Sequence, residues 1–334
     1  MLRSDAHLVI FFGIFPPSRS PGPVYKPRPP LLIKSKQKEK PQLLGHRTER
    51  EQESIGISVE MAGIVVVFDF DKTIIDVDSD NWVVDGLGAT EEFERLLPTM
   101  PWNTLMDTMM GELHARGKTL DDVAAVLRAA SLDPHVVAAI KACYGLGCDL
   151  RILSDANRFF IETILDHHSL RGYFSEINTN PSTVEGDGGR LRIAPYHDFL
   201  AGPAHGCGLG ICPPNMCKGQ VLDRIRTSAG ADKRIIYLGD GRGDYCPSLR
   251  LGRDDFMMPR KGFPVWELIC EDPSLLQAEV HPWADGEEME ETLLRLVGRV
   301  LLEGRNLPPL DCKLESLPAV GVQDGLPMPL RIKN

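Results

Sequence analysis

The sequence has no apolar run long enough to cross a bilayer. The longest one near its start, Leu8-Val-Ile-Phe-Phe-Gly-Ile-Phe15, has eight residues, far short of a membrane span. The Pro-Pro-Ser-Arg that follows it offers no small-x-small cleavage pattern of a secretory signal. A basic surplus is also missing. The formal net charge is -10, and residues 1–60 hold ten Lys/Arg against six Asp/Glu, leaving 27 basic against 41 acidic residues in the remainder. Such a body lacks the basic stripes that wrap nucleic acid, and it suits a protein that holds cations. No membrane or nucleic-acid partner is therefore expected. The eight cysteines are not spaced as a small disulfide scaffold, which favours a reducing compartment. A cytoplasmic location is expected, with a targeting role for the N-terminal segment left open. Oligomeric state is not legible from these features.

The 334 residues are 43% hydrophobic and 25% charged, ordinary globular values that allow one large domain or two modest ones. Residues 16–60 carry repeated prolines and a lysine run from Lys34 to Lys40. They bury too little apolar surface to offset the entropy of ordering. Residues 1–60 are thus expected to be a disordered extension, dispensable for a compact domain over 61–302. A flexible, Pro-rich tail is expected over 303–334.

That domain is organised around Ile64-Val-Val-Val-Phe-Asp-Phe-Asp-Lys-Thr73. A continuous Ile/Val/Phe run reads as a strand buried on both faces of a parallel sheet. Carboxylates are costly to bury within such a strand, so Asp69 and Asp71 are expected where it ends. Apolar residues at helical spacing then fill much of the stretch to Gly147, with a capping-box pattern at Thr119/Asp122 and Pro134 opening a further helix. These helices predict a cap inserted over residues 83–147. Leu150-Arg-Ile-Leu153 and Ile235-Ile-Tyr-Leu238 are two more buried strands. Strands alternating with helices indicate an α/β fold, a Rossmann-like parallel sheet.

All three strands end in polar residues: Asp69/Asp71/Thr73, Ser154/Asp155/Asn157 and Asp240/Asp244. Parallel strands present their carboxyl ends on one side, where open α/β sheets bind ligands. Lys218, at a helix start, adds a positive charge. Mg2+ prefers such oxygen donors, and Asp69, Asp240 and Asp244 are the candidates to hold it. A phosphoryl group fits the remainder. One carboxylate can attack phosphorus while the other moves the proton. Thr73, Ser154 and Lys218 can bind the phosphate oxygens.

These motifs, with Cys212-Pro-Pro-Asn-Met-Cys-Lys218 and Gly239-Asp-Gly-Arg-Gly-Asp244, resemble those of the haloacid dehalogenase superfamily. The resemblance is closest to its phosphoethanolamine/phosphocholine phosphatase branch, which includes plant proteins also described as inorganic pyrophosphatases. It covers about residues 63–300. It implies a haloacid dehalogenase-like core and an aspartyl-phosphate intermediate. Asp69 would be the nucleophile and Asp71 the general acid/base, with Mg2+ on Asp69, the Asp71 carbonyl and Asp240. It also points to Asp80 and Asp155 as substrate-recognition residues. A carboxylate there would complement an ethanolamine or choline cation, although Asp80 could equally cap the first cap helix. Trp82 could offer a cation–π face, but a core position is the stronger expectation. Asp76 and Asp78 read as polar turn residues.

The expected function is a Mg2+-dependent phosphatase for small phosphomonoesters, first phosphoethanolamine and phosphocholine. Inorganic pyrophosphate and thiamine monophosphate are alternatives for the same site. A dehalogenase would not need the second acid at Asp71, and a binding protein would not need the full set of groups. His205, Cys207, Cys212 and Cys217 form a looser array than a paired Cys-x2-Cys zinc motif; metal-free loop thiols are the first expectation.

Overall fold

A computed structural model describes residues 63–186, 189–230 and 232–304. The expected extension over 1–60, Met61 and nearly all of the expected tail over 303–334 lie outside the described residues. Strand β1 (Ile64–Phe68) is wholly buried. Its side chains alternate between two apolar layers: Ile64, Val66 and Phe68 enter one core, Val65 and Val67 the other. This is the two-sided burial that a continuous apolar strand implies.

Five helices follow: α1 (Ser79–Gly86), α2 (Thr90–Leu96), α3 (Trp102–Ala115), α4 (Leu120–Arg128) and α5 (Pro134–Gly145). Their starts carry their own signals. Asp78 caps α1 by accepting from Asn81 N–H at 2.9 Å. Thr119 and Asp122 close a reciprocal capping box on α4, and Pro134 stands in the first turn of α5 behind the cap Asp133. Strand β2 (Asp149–Asn157) and helix α6 (Arg158–His167) come next, then β3 (Glu176–Asn180) and the antiparallel hairpin β4 (Ser182–Glu185) and β5 (Arg190–Ile193). The chain continues through α7 (Lys218–Ala229), β6 (Arg234–Gly239), the short α8 (Tyr245–Ser248) and β7 (Phe256–Pro259). The last described elements are α9 (Pro264–Glu271), β8 (Glu279–Val280) and α10 (Gly286–Gly304).

The main sheet is parallel throughout, in the order β3-β2-β1-β6-β7-β8. Chain progression reverses between β1 and β6, which makes their carboxyl ends the topological switch point. The expected Rossmann-like α/β architecture is present. Within the expected cap stretch, α1 begins earlier than the sequence suggested, and α5 packs against α10 and β2. The last helix therefore belongs to the sheet's helical layer, while β5 joins α3, held by Arg192 on Asp107 at 3.0 Å. Among the described residues no helix is long and apolar enough to cross a membrane.

Candidate active site

The loop after β1 turns about the Phe70 carbonyl, which accepts from the N–H groups of Thr73, Ile74 and Ile75 at 3.3, 2.8 and 3.1 Å. Lys72 sits in this turn at φ 55°, a left-handed conformation uncommon outside glycine. The turn leaves Asp69 and Asp71 on the edge of a cleft of about 500 Å³, which they line together with Asp78, Asp80, Asp155, Asp240, Trp102, Lys72, Lys218 and Arg242.

At its inner end, Lys218 donates to Asp69 Oδ2 at 2.7 Å and to Asp244 Oδ1 at 2.9 Å. Its Nζ lies 3.8 Å from Asp155 Oδ1. Asp69 Oδ1 accepts from the Phe70 N–H at 2.7 Å. Asp244 is saturated: Tyr237 OH also donates to Oδ1 at 2.7 Å, and the N–H groups of Asp240 and Gly241 reach Oδ2 at 3.1 and 2.8 Å. Burial alone would pull the Lys218 pKa down, but Asp244 and Asp69 outweigh it and hold the ammonium well above its ordinary value. Burial, and then the neighbouring Asp244, raise Asp69 well above the usual carboxylate range and Asp240 to about 7. These are carboxylates short of positive charge. Oxygens of Asp69, Asp240 and Asp244 lie within 4.8 Å of one another, an all-oxygen set that fits a hard divalent cation.

Asp71 lies on the outer side. Ser79 Oγ donates to its Oδ2 at 3.0 Å, while Oδ1 has no partner among the described residues. Burial first, then Asp78 and Asp80, raise its pKa well above the ordinary value. Burial thus favours its neutral, protonated form. Asp80 is also buried. Trp102 Nε1 donates to its Oδ2 at 2.7 Å, its Oδ1 is unpartnered among the described residues, and burial with Asp78 raises it to about 8.

The sequence expectations for Asp69, Asp71, Asp80, Asp155, Lys218, Asp240 and Asp244 thus meet in one place. Thr73 and Ser154 do not line the cleft. Thr73 is buried with its hydroxyl unpartnered among the described residues. Ser154 is fully buried within β2, which runs on past Leu153 with a register shift against β3, and its Oγ accepts from Ala156 N–H at 3.3 Å. Trp82 points away, its indole N–H bonded to the Val126 carbonyl at 2.8 Å, in keeping with a packing role. Asp78, not Asp80, caps α1, and it borders the cleft as well. Trp102 is the aromatic residue the sequence reading missed. Nothing in its local pattern marks it, because its place depends on how α3 leans over the sheet edge.

Residues 64–297 match the family described as Putative Phosphatase. The chain is similar to "Inorganic pyrophosphatase 2" of Arabidopsis thaliana, 57% identical over 71% of this chain and 85% of that protein. It is similar to "Thiamine phosphate phosphatase-like protein" of the same plant, 51% identical over 73% of this chain and 99% of that one. It also resembles the "Phosphoethanolamine/phosphocholine phosphatase" of Homo sapiens, 34% identical over 66% of this chain and 84% of that protein.

Proposed function

The chain belongs to the Putative Phosphatase family within the haloacid dehalogenase superfamily, and from that premise we propose that this phosphoric monoester hydrolase acts on small phosphomonoesters with a cationic leaving group, first phosphoethanolamine and phosphocholine. The observation that carries this reading is the outer end of the cleft, where Asp78, Asp80 and Asp155 gather beside the Trp102 ring. Three clustered carboxylates, with Asp80 Oδ1 unpartnered among the described residues, and an indole beside them complement an ammonium or quaternary ammonium group.

In the proposed reaction Asp69 attacks phosphorus in line, and the leaving oxygen takes the proton of Asp71. Asp71 then removes a proton from the water that hydrolyses the aspartyl-phosphate, releasing inorganic phosphate and restoring both carboxyl groups. Lys218 orients Asp69 and neutralises oxygen charge in the transition state. Asp244, saturated by four donors, fixes Lys218 and the loop after β6. Mg2+, held by Asp69, Asp240 and the Asp71 carbonyl with Asp244 at its side, would supply the charge compensation that Asp69 and Asp240 lack.

Inorganic pyrophosphate is the second reading, favoured by the name of the 57%-identical relative and by the cations Lys72 and Arg242 on the cleft wall. Thiamine monophosphate, suggested by another relative's name, carries a cationic ring and falls within the first reading. Measuring kcat/KM for phosphocholine, phosphoethanolamine, thiamine monophosphate and pyrophosphate decides between them. The three cationic esters should exceed pyrophosphate; a pyrophosphate preference above tenfold overturns the first reading.

A further inference from the structure

The chain from Ala194 to Cys217 contains no helix or strand, yet it leads directly into the residue that holds the nucleophile. Irregular loops of this length are uncommon in compact domains unless something fixes them. Their sulfur atoms suggest what does so. Cys207 and Cys212 approach to 3.5 Å, Cys212 and Cys217 to 3.8 Å, Cys217 and Cys246 to 3.6 Å, and Cys207 and Cys246 to 3.8 Å. All four lie within 4.8 Å of one another. These separations are far longer than the S–S bond of a disulfide. They match the edge of a tetrahedron with Zn–S bonds of about 2.3 Å, roughly 3.8 Å.

We propose that Cys207, Cys212, Cys217 and Cys246 bind one Zn2+ as a closed tetrathiolate centre that ties the loop before α7 to the segment after β6. Coordination converts four thiols to thiolates with release of four protons and no change of oxidation state. With four protein ligands the shell is complete, which makes the centre structural. His205, the nearby imidazole in the sequence pattern, serves otherwise. Its Nε2 lies 3.1 Å from the Pro213 carbonyl and its Nδ1 accepts from the Cys207 N–H at 3.2 Å, bracing the loop next to the sulfurs. The fold brings in Cys246 as the fourth ligand. A Cβ on Gly219 would come within 2.5 Å of the Cys246 sulfur and 2.6 Å of Arg250 Nε. The first turn of α7 thus lies directly against the centre, with a guanidinium beside it to offset thiolate charge.

The position gives the centre its consequence. Cys217 precedes Lys218, and Cys246 lies two residues beyond Asp244, so a metal here clamps both ends of the Lys218–Asp244 ion pair. It would position the pair without touching substrate.

Metal analysis of the full chain, purified without chelator, should find one zinc per chain. Replacement by Co2+ should give thiolate-to-metal charge-transfer bands and the intense visible bands of a tetrahedral site. Cys207→Ser/Cys212→Ser should lose the metal and lower Tm by roughly 5–10 °C, while the exposed control Cys270→Ser keeps both. The proposal is overturned by zinc below a tenth of an equivalent in the wild-type chain, by an intact mass showing loss of hydrogens to disulfides, or by zinc retained in the double variant. The wild-type metal content and cobalt spectrum decide the matter even if the variant fails to fold. They do not depend on which ester is hydrolysed.

Discussion

The two ends of the cleft are built on opposite principles. At the inner end the hydrogen bonds are made within the chain: Asp244 receives four donors, and Asp69 receives Lys218 and a backbone N–H, while the charge that Asp69 and Asp240 still lack is left for a cation. At the outer end Asp71 and Asp80 each leave an oxygen unpartnered among the described residues, and both have pKa values raised by burial. On the proposed reading the attack on phosphorus is preorganised at the inner end, where Lys218 and a backbone N–H hold Asp69. The outer end is left short of positive charge, a deficit that a substrate can fill. In that reading the nucleophile and its cation lie at the inner end, while Asp71 and the leaving-group side share the outer end. Loss of Asp69 or Lys218 and loss of Asp80 should therefore give different signatures.

The largest effect should come from Asp69→Asn, which keeps the Lys218 contact but removes the nucleophile. We expect kcat to fall by about 10⁴-fold or more with Tm changed by only a few degrees, as read by steady-state kinetics and calorimetry. Residual activity equal to wild type would place the reaction elsewhere. Lys218→Met should come second. It removes a cation worth about 10²–10³ in kcat, and it strands Asp69 and Asp244, costing roughly 3–5 kcal/mol of stability. Loss of rate without loss of Tm would show that the inner web is not held by this ammonium.

Asp80→Asn probes the opposite end, with a split signature. Because burial and Asp78 raise Asp80 to about 8, it is mostly neutral in the free protein at pH 7. Its folded pKa lies above the ordinary value of about 3.9, so its contribution to stability is full below about pH 4 and is lost as pH rises to about 8. Asn has no proton to lose, so the variant should gain roughly 1–3 kcal/mol over wild type by pH 8. A cationic ester favours the ionised carboxylate, so the wild-type KM for phosphocholine should fall as pH rises toward 8, by up to about tenfold per unit. In Asp80→Asn that slope should vanish and KM should rise about tenfold at pH 8. For pyrophosphate the ionised carboxylate repels, and the slope should reverse. A flat KM profile for every substrate would separate Asp80 from recognition.

The inner end was legible in the sequence, and so were Asp71, Asp80 and Asp155 at the outer end, through the motif resemblance in the last two cases; Asp78 and Trp102 were not, for a physical reason. Buried parallel strands write themselves as unbroken apolar runs, so the ends of β1 and β6 could be found, and with them Asp69, Asp71 and Asp240. The end of β2 was placed too early, because extended backbone persists through Ser154 to Asn157, polar residues that do not look like a strand. Helix periodicity located α3 to α5 but not the layer each joins. α5 was assigned to the cap and packs on α10 instead. Asp78 and Trp102 reach the cleft only through the docking of α1 and α3, and Cys246 meets Cys217 only because α7 and β6 bring distant loops together. Such meetings are tertiary and leave no local pattern.

The smallest expected effect sharpens the comparison most finely. Trp102 joins the two kinds of recognition, since its indole N–H holds Asp80 at 2.7 Å and its ring packs edge-on against Phe93, centroids 5.3 Å apart. Trp102→Phe keeps an aromatic face and deletes the donor. Without that N–H both Asp80 oxygens lack a partner among the described residues, and the carboxylate becomes harder to ionise. The phosphocholine KM should rise about two- to fivefold, the value of one modest hydrogen bond, and its pH dependence should move to higher pH with kcat unchanged. Trp102→Leu removes the ring as well and should add a further loss for quaternary ammonium esters alone. If both variants raise the KM for pyrophosphate as much as for phosphocholine, Trp102 shapes the cleft without recognising a cation. The outer carboxylates would then have to select substrate unaided.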